Sequence, residues 1–311
     1  MNGQPLVSVI VPNYNKCAFI TDAINSAIGQ TLSDIELIVV DDCSQDLSLE
    51  KARTLQSANS RIRILKHRKR RGAAAARNTG IRAAKGRFVA LLDSDDVYSQ
   101  VWLENAVRRI DSEHQDCVAY GDWWLMDSAG RRRGWKRGHT QASGYLFTDF
   151  LLKSLDVNSV LVAPRSCFLD VGLYDESISW GEDYDITLRL ARRFPFVYVD
   201  QEVYGYRLHP GNSWRTFSEK ELYRHKAKVL GRHFEQSRDF LSAEQAQWVE
   251  SRLAAYQCRA GMGRVWSASS FRSAALTYLR AFRRLSPMTD RKSADAPESG
   301  GLNTFSTARK K

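Results

Sequence analysis

The chain has 311 residues, 43% of them hydrophobic and 26% charged, and carries a net charge of +11. It is long enough to bury one large core plus a smaller appendage, and its basic surplus favours a polyanionic partner such as a nucleoside diphosphate, nucleic acid or an anionic membrane surface. The cysteines Cys17, Cys43, Cys117, Cys167 and Cys258 form no CxxC pair, which argues against a disulfide framework or a structural zinc site and for a reducing cytoplasm. No signal-peptide pattern opens the sequence, and no apolar run approaches the roughly 20 residues that span a bilayer.

The first 100 residues alternate β-rich runs with helical patterns. Leu6–Val11 reads as a strand, Ala18–Ile28 as a helix with Phe19, Ile20, Ile24, Ala27 and Ile28 on one side, and Ile35–Val40 as a second strand ending in Asp41-Asp42. A polar helix, a strand at Arg61–Leu65, an alanine-rich helix at Gly72–Ala84 and a strand running to Leu92 follow. Such alternation predicts βαβ crossovers and a mostly parallel sheet covered on both faces. No GxGxxG follows the first strand, which argues against a dehydrogenase-type dinucleotide fold.

From Cys117 the rhythm changes. Val118–Leu125 and Arg131–Arg137 read as a hairpin, and Val157–Ala163, Phe196–Val199 and Tyr204–Leu208 as further strands. Glu182–Arg193 has helical spacing, so the second half reads as a mixed sheet. After Ser218 the pattern is helical to about Leu285, and the segment from Ser286 has the composition of a disordered tail.

Polar residues collect where the apolar runs stop. Arg87–Leu92 ends in Asp93-Ser94-Asp95-Asp96, and carboxylates clustered at a strand end repel one another unless a cation sits among them. A hard divalent ion with oxygen ligands suits such a place and usually accompanies a phosphorylated substrate. The bland alternative is that Asp95 or Asp96 caps a helix starting near Ser99. Pro12 ends the first ladder, and Tyr14 beyond it is suited to stack on a base or ribose. Asp41 and Asp42 suit hydrogen bonds to a nucleobase or ribose, although Asp42 would equally cap a helix. Gly72 precedes a helix whose N–H groups would face a phosphate, with Arg77 and Asn78 on its first turns. In Trp180-Gly-Glu182-Asp183 a glycine turn leads into a helix whose dipole keeps Asp183 ionised; Trp180 is suited to stack on an acceptor sugar with Glu182 beside it, and a mere capping cluster is the alternative. His209, after a short strand, would ligate a metal or bind a diphosphate, or do neither.

Val7-Ser-Val-Ile-Val-Pro-Asn-Tyr-Asn15, Glu36-Leu-Ile-Val-Val-Asp-Asp42, Ala76-Arg-Asn-Thr-Gly-Ile81, Phe88-Val-Ala-Leu-Leu-Asp-Ser-Asp-Asp96 and Gly181-Glu-Asp183 together resemble family 2 glycosyltransferases, in order and spacing. The resemblance covers roughly residues 5–215. It implies an α/β GT-A fold, a nucleotide-sugar donor, Mg²⁺ or Mn²⁺, and inversion at the anomeric carbon. It implies a base contact for Asp42, contacts to ribose, metal and diphosphate for Asp93, Asp95 and Asp96, and a general-base role for Asp183. The donor set expected on these grounds is Pro12, Tyr14, Asp41, Asp42, Arg77, Asn78, Asp93, Ser94 and Asp95, with Asp95, Asp96 and His209 at the metal and Trp180 and Glu182 at the acceptor.

The expected organisation is a GT-A catalytic domain over 1–217, a helical extension over 218–285 and a tail over 286–311. The expected reaction moves a sugar, with UDP the commonest carrier in the family, to a saccharide or lipid-linked hydroxyl in cell-surface polysaccharide synthesis. A basic amphipathic helix at Ser270–Leu285 is the candidate for peripheral contact with an anionic membrane. Two other classes compete. The Arg61–Arg71 run, the Arg131–Arg137 cluster and Trp123, Trp124 and Trp135 would suit a nucleic-acid binder. A metal-dependent phosphatase or nuclease would share the Asp93–Asp96 carboxylates but would leave Asp41-Asp42 and Glu182-Asp183 without a role.

Overall fold

The computed structural model describes residues 4–136, 141–153 and 160–262. Strand β1 (Val7–Asn13), helix α1 (Ile20–Ile28), β2 (Ile35–Asp41), α2 (Ser48–Ala58), β3 (Ile62–Lys66), α3 (Ala73–Ala83) and β4 (Phe88–Leu91) come first. There follow β5 (Val97–Tyr98), α4 (Trp102–Asp111), β6 (Val118–Met126), β7 (Arg132–Lys136), α5 (Phe147–Lys153), β8 (Val162–Pro164) and α6 (Arg165–Asp170). The described chain ends with α7 (Glu182–Arg193), β9 (Phe196–Arg207), α8 (Glu219–Glu235) and α9 (Ala243–Arg259).

The strands form one sheet in the order β3-β2-β1-β4-β8-β6-β9-β5, with β7 paired to β6. β1, β2, β3 and β4 are parallel, whereas β8 runs antiparallel to β4. Every residue of β1 and β2 is buried, as expected of strands covered on both faces. Alternate side chains enter opposite cores. Val9, Val11, Leu37 and Val39 pack with Ile20 and Ile24 of α1 and Trp102 of α4. Ile10, Ile38 and Val40 face the other core, which α3, α5, α6 and α7 cover. Gly80 of α3 lies against β1, where a Cβ would stand 2.3 Å from Ile10 Cγ2.

Three sequence readings change. Pro12 does not end the ladder, because β1 stays in register with β2 through Pro12↔Val40 and Asn13↔Asp41. The carbonyl of Ile10 faces β4, accepting from Leu92 N–H, and Pro12 points the same way two residues on, where pairing with β4 has stopped. Its missing N–H therefore leaves no partner unsatisfied. Second, the runs at 196–199 and 204–208 belong to one strand, β9, which follows β6 through register shifts between Gly121 and Trp123. Third, α4 starts at Trp102 with Val101 at its N-cap, so neither Asp95 nor Asp96 caps it, and the short β5 intervenes.

Helices α8 and α9 share the core of the sheet domain: Leu230, Phe234, Trp248 and Val249 are buried with Phe150 and Ile186. The expected amphipathic helix at 270–285 and the tail lie outside the described residues. No described helix is long and apolar enough to cross a membrane.

Candidate active site

Because β1, β2 and β4 run parallel, their C-terminal ends share one rim of the sheet, where ligands of open α/β sheets collect. Buried Asn13 donates to Asp41 Oδ1 at 2.9 Å and to Ser48 Oγ at 3.0 Å, and Asp41 Oδ2 accepts from the Ser44 N–H at 3.1 Å. Asp42 accepts from the N–H groups of Arg71 (2.8 Å) and Gly72 (2.7 Å) and meets His67 Nδ1 at 2.7 Å. The two carboxylates thus brace the loop after β2 and the entrance to α3, and a base would have to share Asp42 with these donors. Beside them the Arg70 guanidinium lies 4.2 Å from the centre of the half-buried Tyr14 ring. Asn78 is placed as a staple: its amide donates to the Tyr174 carbonyl (2.9 Å) and Glu176 (3.0 Å) and accepts from Tyr174 N–H (2.8 Å).

Arg77 is the hub of the site. Its side chain is buried, and its guanidinium reaches Asp93 at 2.7 Å, Glu182 at 2.8 Å and Asp183 at 3.3 Å. Burial disfavours its charge, but Asp183 and Asp93 more than offset this and hold its pKa well above the ordinary value. Arg77 therefore joins the end of β4 to the start of α7, a part that its place on the first turns of α3 did not suggest. Gly181, at φ +87°, makes the left-handed turn that swings the chain into α7, and a side chain there would strain the backbone. Asp185, fully buried in the first turn of α7, accepts from Arg189 Nε at 2.9 Å and meets His233 Nε2 of α8 at 3.0 Å, anchoring the helix start that carries Asp183.

The aspartates after β4 separate into three environments. Asp93 is partly exposed and turned toward Arg77. Ser94 is buried. Asp95 Oδ2 meets Lys16 Nζ at 2.6 Å and His209 Nε2 at 2.9 Å. Burial pushes the Asp95 pKa up, yet His209 and Lys16 hold it below the ordinary carboxylate value. Asp96 is almost fully buried: Oδ2 accepts from the Tyr204 hydroxyl at 2.7 Å and Oδ1 from the Arg207 N–H at 2.7 Å. Burial and the neighbouring Asp95 and Asp93 charges raise its pKa well above the usual range. The Arg207 side chain continues the same brace, donating through Nε to the Asp95 carbonyl at 2.8 Å and pairing with Asp22 at 2.9 Å. Asp96, expected at the metal, joins the β4 end to β9 through both oxygens.

Gly211 N–H donates to His209 Nδ1 at 3.1 Å, so Nε2 carries the proton that Asp95 accepts. In this arrangement His209 positions Asp95 through an N–H and offers no free lone pair to an ion. Among the described residues no group of three His, Cys, Asp or Glu side chains is arranged to hold a metal. A cation nevertheless suits Asp95, whose oxygen already carries an ammonium at 2.6 Å, and the rest of the shell of a magnesium-like ion normally comes from substrate phosphates and water.

A cavity of about 380 Å³ opens beside this cluster, lined by Asp93, Asp96, Glu182 and Asp183 on one side. Trp123, Trp180, Tyr206, Trp214 and Tyr256 provide aromatic walls, and α8 adds His225 and Lys226. Of the expected residues, Asp93, Asp96, Trp180, Glu182 and Asp183 therefore share one chamber. Lys16, Arg207, Tyr204 and Tyr256 escaped the sequence reading because each gains its meaning from a partner distant in the chain.

Residues 8–169 match the family model described as glycosyl transferase family 2. The chain belongs to this family. An uncharacterized glycosyltransferase, EpsJ of Bacillus subtilis, is 32% identical over 219 residues, covering 67% of this chain and 62% of that protein. A longer relative from Rickettsia felis is 30% identical over 203 residues, 64% of this chain and 33% of that protein. The chain thus spans less than two thirds of these relatives. Among solved structures, S. aureus TarS 1-349 in complex with UDP-GlcNAc superposes with a TM-score of 0.61 at 19% identity, over 88% of this chain and 92% of that one. The mannosyltransferase PcManGT from Pyrobaculum calidifontis, in complex with GDP-Man and Mn²⁺, gives a TM-score of 0.55 at 18% identity, over 91% and 83%. The fold of this family 2 chain is GT-A, as the order of its motifs implied.

Proposed function

We propose that this family 2 domain transfers a sugar from a nucleotide-sugar donor to a hydroxyl of a saccharide or lipid-linked acceptor, with inversion at the anomeric carbon. The observation that carries the reading is the Arg77 hub, which brings Asp93 from the donor rim and Asp183 from α7 to one aromatic-walled cavity. Asp183 removes the proton from the acceptor hydroxyl as its oxygen attacks the anomeric carbon, and the nucleoside diphosphate leaves from the opposite face. General-base assistance of this kind typically contributes about 10²–10⁴-fold. Trp180 offers the acceptor ring an apolar face, and Glu182 stays fixed on Arg77.

Tyr14, Asp41, Asp42 and Pro12 form the wall for the nucleoside. Asp95, with Asp93 near it, would hold Mn²⁺ or Mg²⁺, which when bound offsets charge on the departing diphosphate as a Lewis acid. The Mn²⁺ complex of PcManGT supports the cation, and the UDP-GlcNAc complex of TarS and the GDP-Man complex of PcManGT support a nucleotide-linked donor, for which UDP is taken as the commonest carrier in the family. A cell-surface polysaccharide on the cytoplasmic face of the membrane is the setting that fits a lipid-linked acceptor.

A panel of UDP-, GDP- and dTDP-sugars, with and without Mn²⁺, tests the reading. Slow hydrolysis of one nucleotide-sugar class, stimulated by the cation, is the expected result. Release of phosphate from simple phosphate esters, with nucleotide sugars left intact, would instead identify a phosphatase.

A further inference from the structure

Lys16, in the loop between β1 and α1, holds its ammonium between two oxygens: Asp95 Oδ2 at 2.6 Å and the Gly211 carbonyl at 2.9 Å. Both side chains are largely shielded, 17% exposed for Lys16 and 13% for Asp95. The His209 N–H reaches the same Oδ2, and Phe19 packs on the imidazole with ring centroids 4.4 Å apart, which fixes its plane. Asp95 Oδ2 therefore receives an ammonium and an imidazole N–H, and its charge is balanced by the protein itself.

We propose that Lys16 is a resident counter-ion of Asp95, which a divalent cation must displace in order to bind. The inference rests on the reading of Asp95 as a cation ligand. A hard divalent ion stands roughly 2.0–2.6 Å from a carboxylate oxygen, so an ion on Oδ2 and the ammonium would be like charges in near contact. One of the two has to leave. Without the ion, Lys16 keeps Asp95 from being a bare, shielded carboxylate and ties the Asp93–Asp96 turn to the Gly211 loop. An ion arriving alone must break that tie and leave an unpaired ammonium behind. An ion bridged to a diphosphate brings negative charge that the released ammonium faces. Lys16 thereby makes cation binding depend on the nucleotide, and by linkage the nucleotide gains as much from the cation as the cation gains from it.

Mn²⁺ binding to the full chain, read from the electron paramagnetic resonance signal of the free ion, tests this with Mn²⁺ alone and then with UDP or GDP. Lys16→Met should bind Mn²⁺ alone at least about tenfold more tightly than the wild type, since the repulsion it removes lies between the bulk-water and protein-surface values for neighbouring charges. Its further gain on adding nucleotide should shrink. Lys16→Arg should stay near the wild type, and Lys16→Gln, which keeps a hydrogen-bond donor, should follow Lys16→Met should the latter fail to fold. Asp95→Asn should lower Mn²⁺ affinity and erase the difference between lysine and methionine at position 16. Unchanged or weaker Mn²⁺ binding in both charge-removing variants, with Asp95→Asn still lowering affinity, would make Lys16 a prop for Asp95 and end the proposal while the cation reading stands. Mn²⁺ binding indifferent to Asp95→Asn would overturn both.

Discussion

The two halves of the candidate site, the one proposed for the donor and the one proposed for the acceptor, are held in place by different means. On the donor side the polar residues are buried and bonded to main chain: Asp41 to Ser44 N–H, Asp42 to Arg71 and Gly72 N–H, Asp96 to Arg207 N–H. On the acceptor side Trp180, Tyr206, Lys226 and Tyr256 are half-buried, and Lys226 lies within 6.0 Å of the ring centres of Trp180, Tyr223 and Tyr256. The half proposed for the nucleotide is thus built from fixed backbone positions on a parallel sheet. The half proposed for the acceptor is built from side chains of β6, β9, α8, α9 and the segment that leads into α7. A nucleotide is common to many reactions and an acceptor is particular, so rigid main chain on one side and replaceable aromatics on the other suits both tasks.

The largest effect that would break this division is at Asp183, where the two sides meet. Asp183→Asn should reduce transfer by about 10²–10⁴-fold through loss of proton acceptance. Donor affinity, measured by calorimetry, should hold within a few-fold. Equal loss of donor binding would move Asp183 to the donor side and make it a structural member of the Arg77 hub.

Arg77 should differ, because it serves both sides. Arg77→Met removes the guanidinium that Asp93, Glu182 and Asp183 share. Removing one partner of a buried ionic cluster costs about 3–5 kcal/mol; with Asp93 and Asp183 part-exposed, at 29% and 28%, the lower end is expected. Chemical denaturation reads the loss, and donor and acceptor binding should both weaken.

Asp95 and Asp96 sharpen the comparison within a single turn. Asp96→Asn replaces one acceptor of the Tyr204 and Arg207 bonds by a donor and should cost about 1–3 kcal/mol of stability, the price of a buried polar group left unpaired. Asp95→Asn should leave the melting temperature closer to that of the wild type and remove the response to Mn²⁺. The reverse ranking would place the structural carboxylate at 95.

Below neutral pH the acceptor side should loosen first. Burial lowers the His233 pKa from its ordinary value near 6.5, against the opposing attraction of Asp185. A histidine with a depressed folded-state pKa contributes stability that is fully present above the unfolded value and lost as pH falls through the interval below it. Asp185, whose own pKa is held low, keeps its contribution until pH falls below the ordinary 3.8. Stability should therefore decline from about pH 7 toward pH 5. His233→Gln, which keeps a donor for Asp185 and removes the titration, should flatten that decline. An unaltered pH profile in this variant would mean that another group, such as His225 on the cavity wall, governs it.

The same division explains how much was legible in the sequence. β1, β2 and β4 are apolar runs, broken only by Ser8 and Glu36, with polar residues at their ends, so the sheet and the positions of Asp41, Asp42 and Asp93–Asp96 could be read directly. α7 was also legible, because Gly181 and its acidic first turn mark the start and Arg192-Arg193 mark the end. β9 was read as two strands because Asp200, Gln201 and Glu202 interrupt its apolar pattern where it shifts register against β6. Roles that depend on partners far along the chain were not legible. Arg77 and Glu182 lie 105 positions apart, Asp96 and Arg207 111, and Lys16 and Gly211 195. Local spacing placed Asn78 and Asp96 near the right loops and could not show that the fold would use them as staples.

The smallest expected effect lies at the outer edge of the donor side. Arg70 covers Tyr14 at 4.2 Å, an exposed counterpart of the main-chain bonds that fix Asp41 and Asp42. Such a pair contributes about 0.5–1 kcal/mol at an exposed site. Arg70→Ala should therefore weaken nucleotide binding no more than about fivefold, by letting the Tyr14 ring turn, and should leave kcat untouched. Tyr14→Ala should cost more, because it removes the stacking surface itself. If Arg70→Ala instead costs a hundredfold, the guanidinium touches the nucleotide directly, and the donor side depends on a mobile surface charge as well as on buried main-chain bonds.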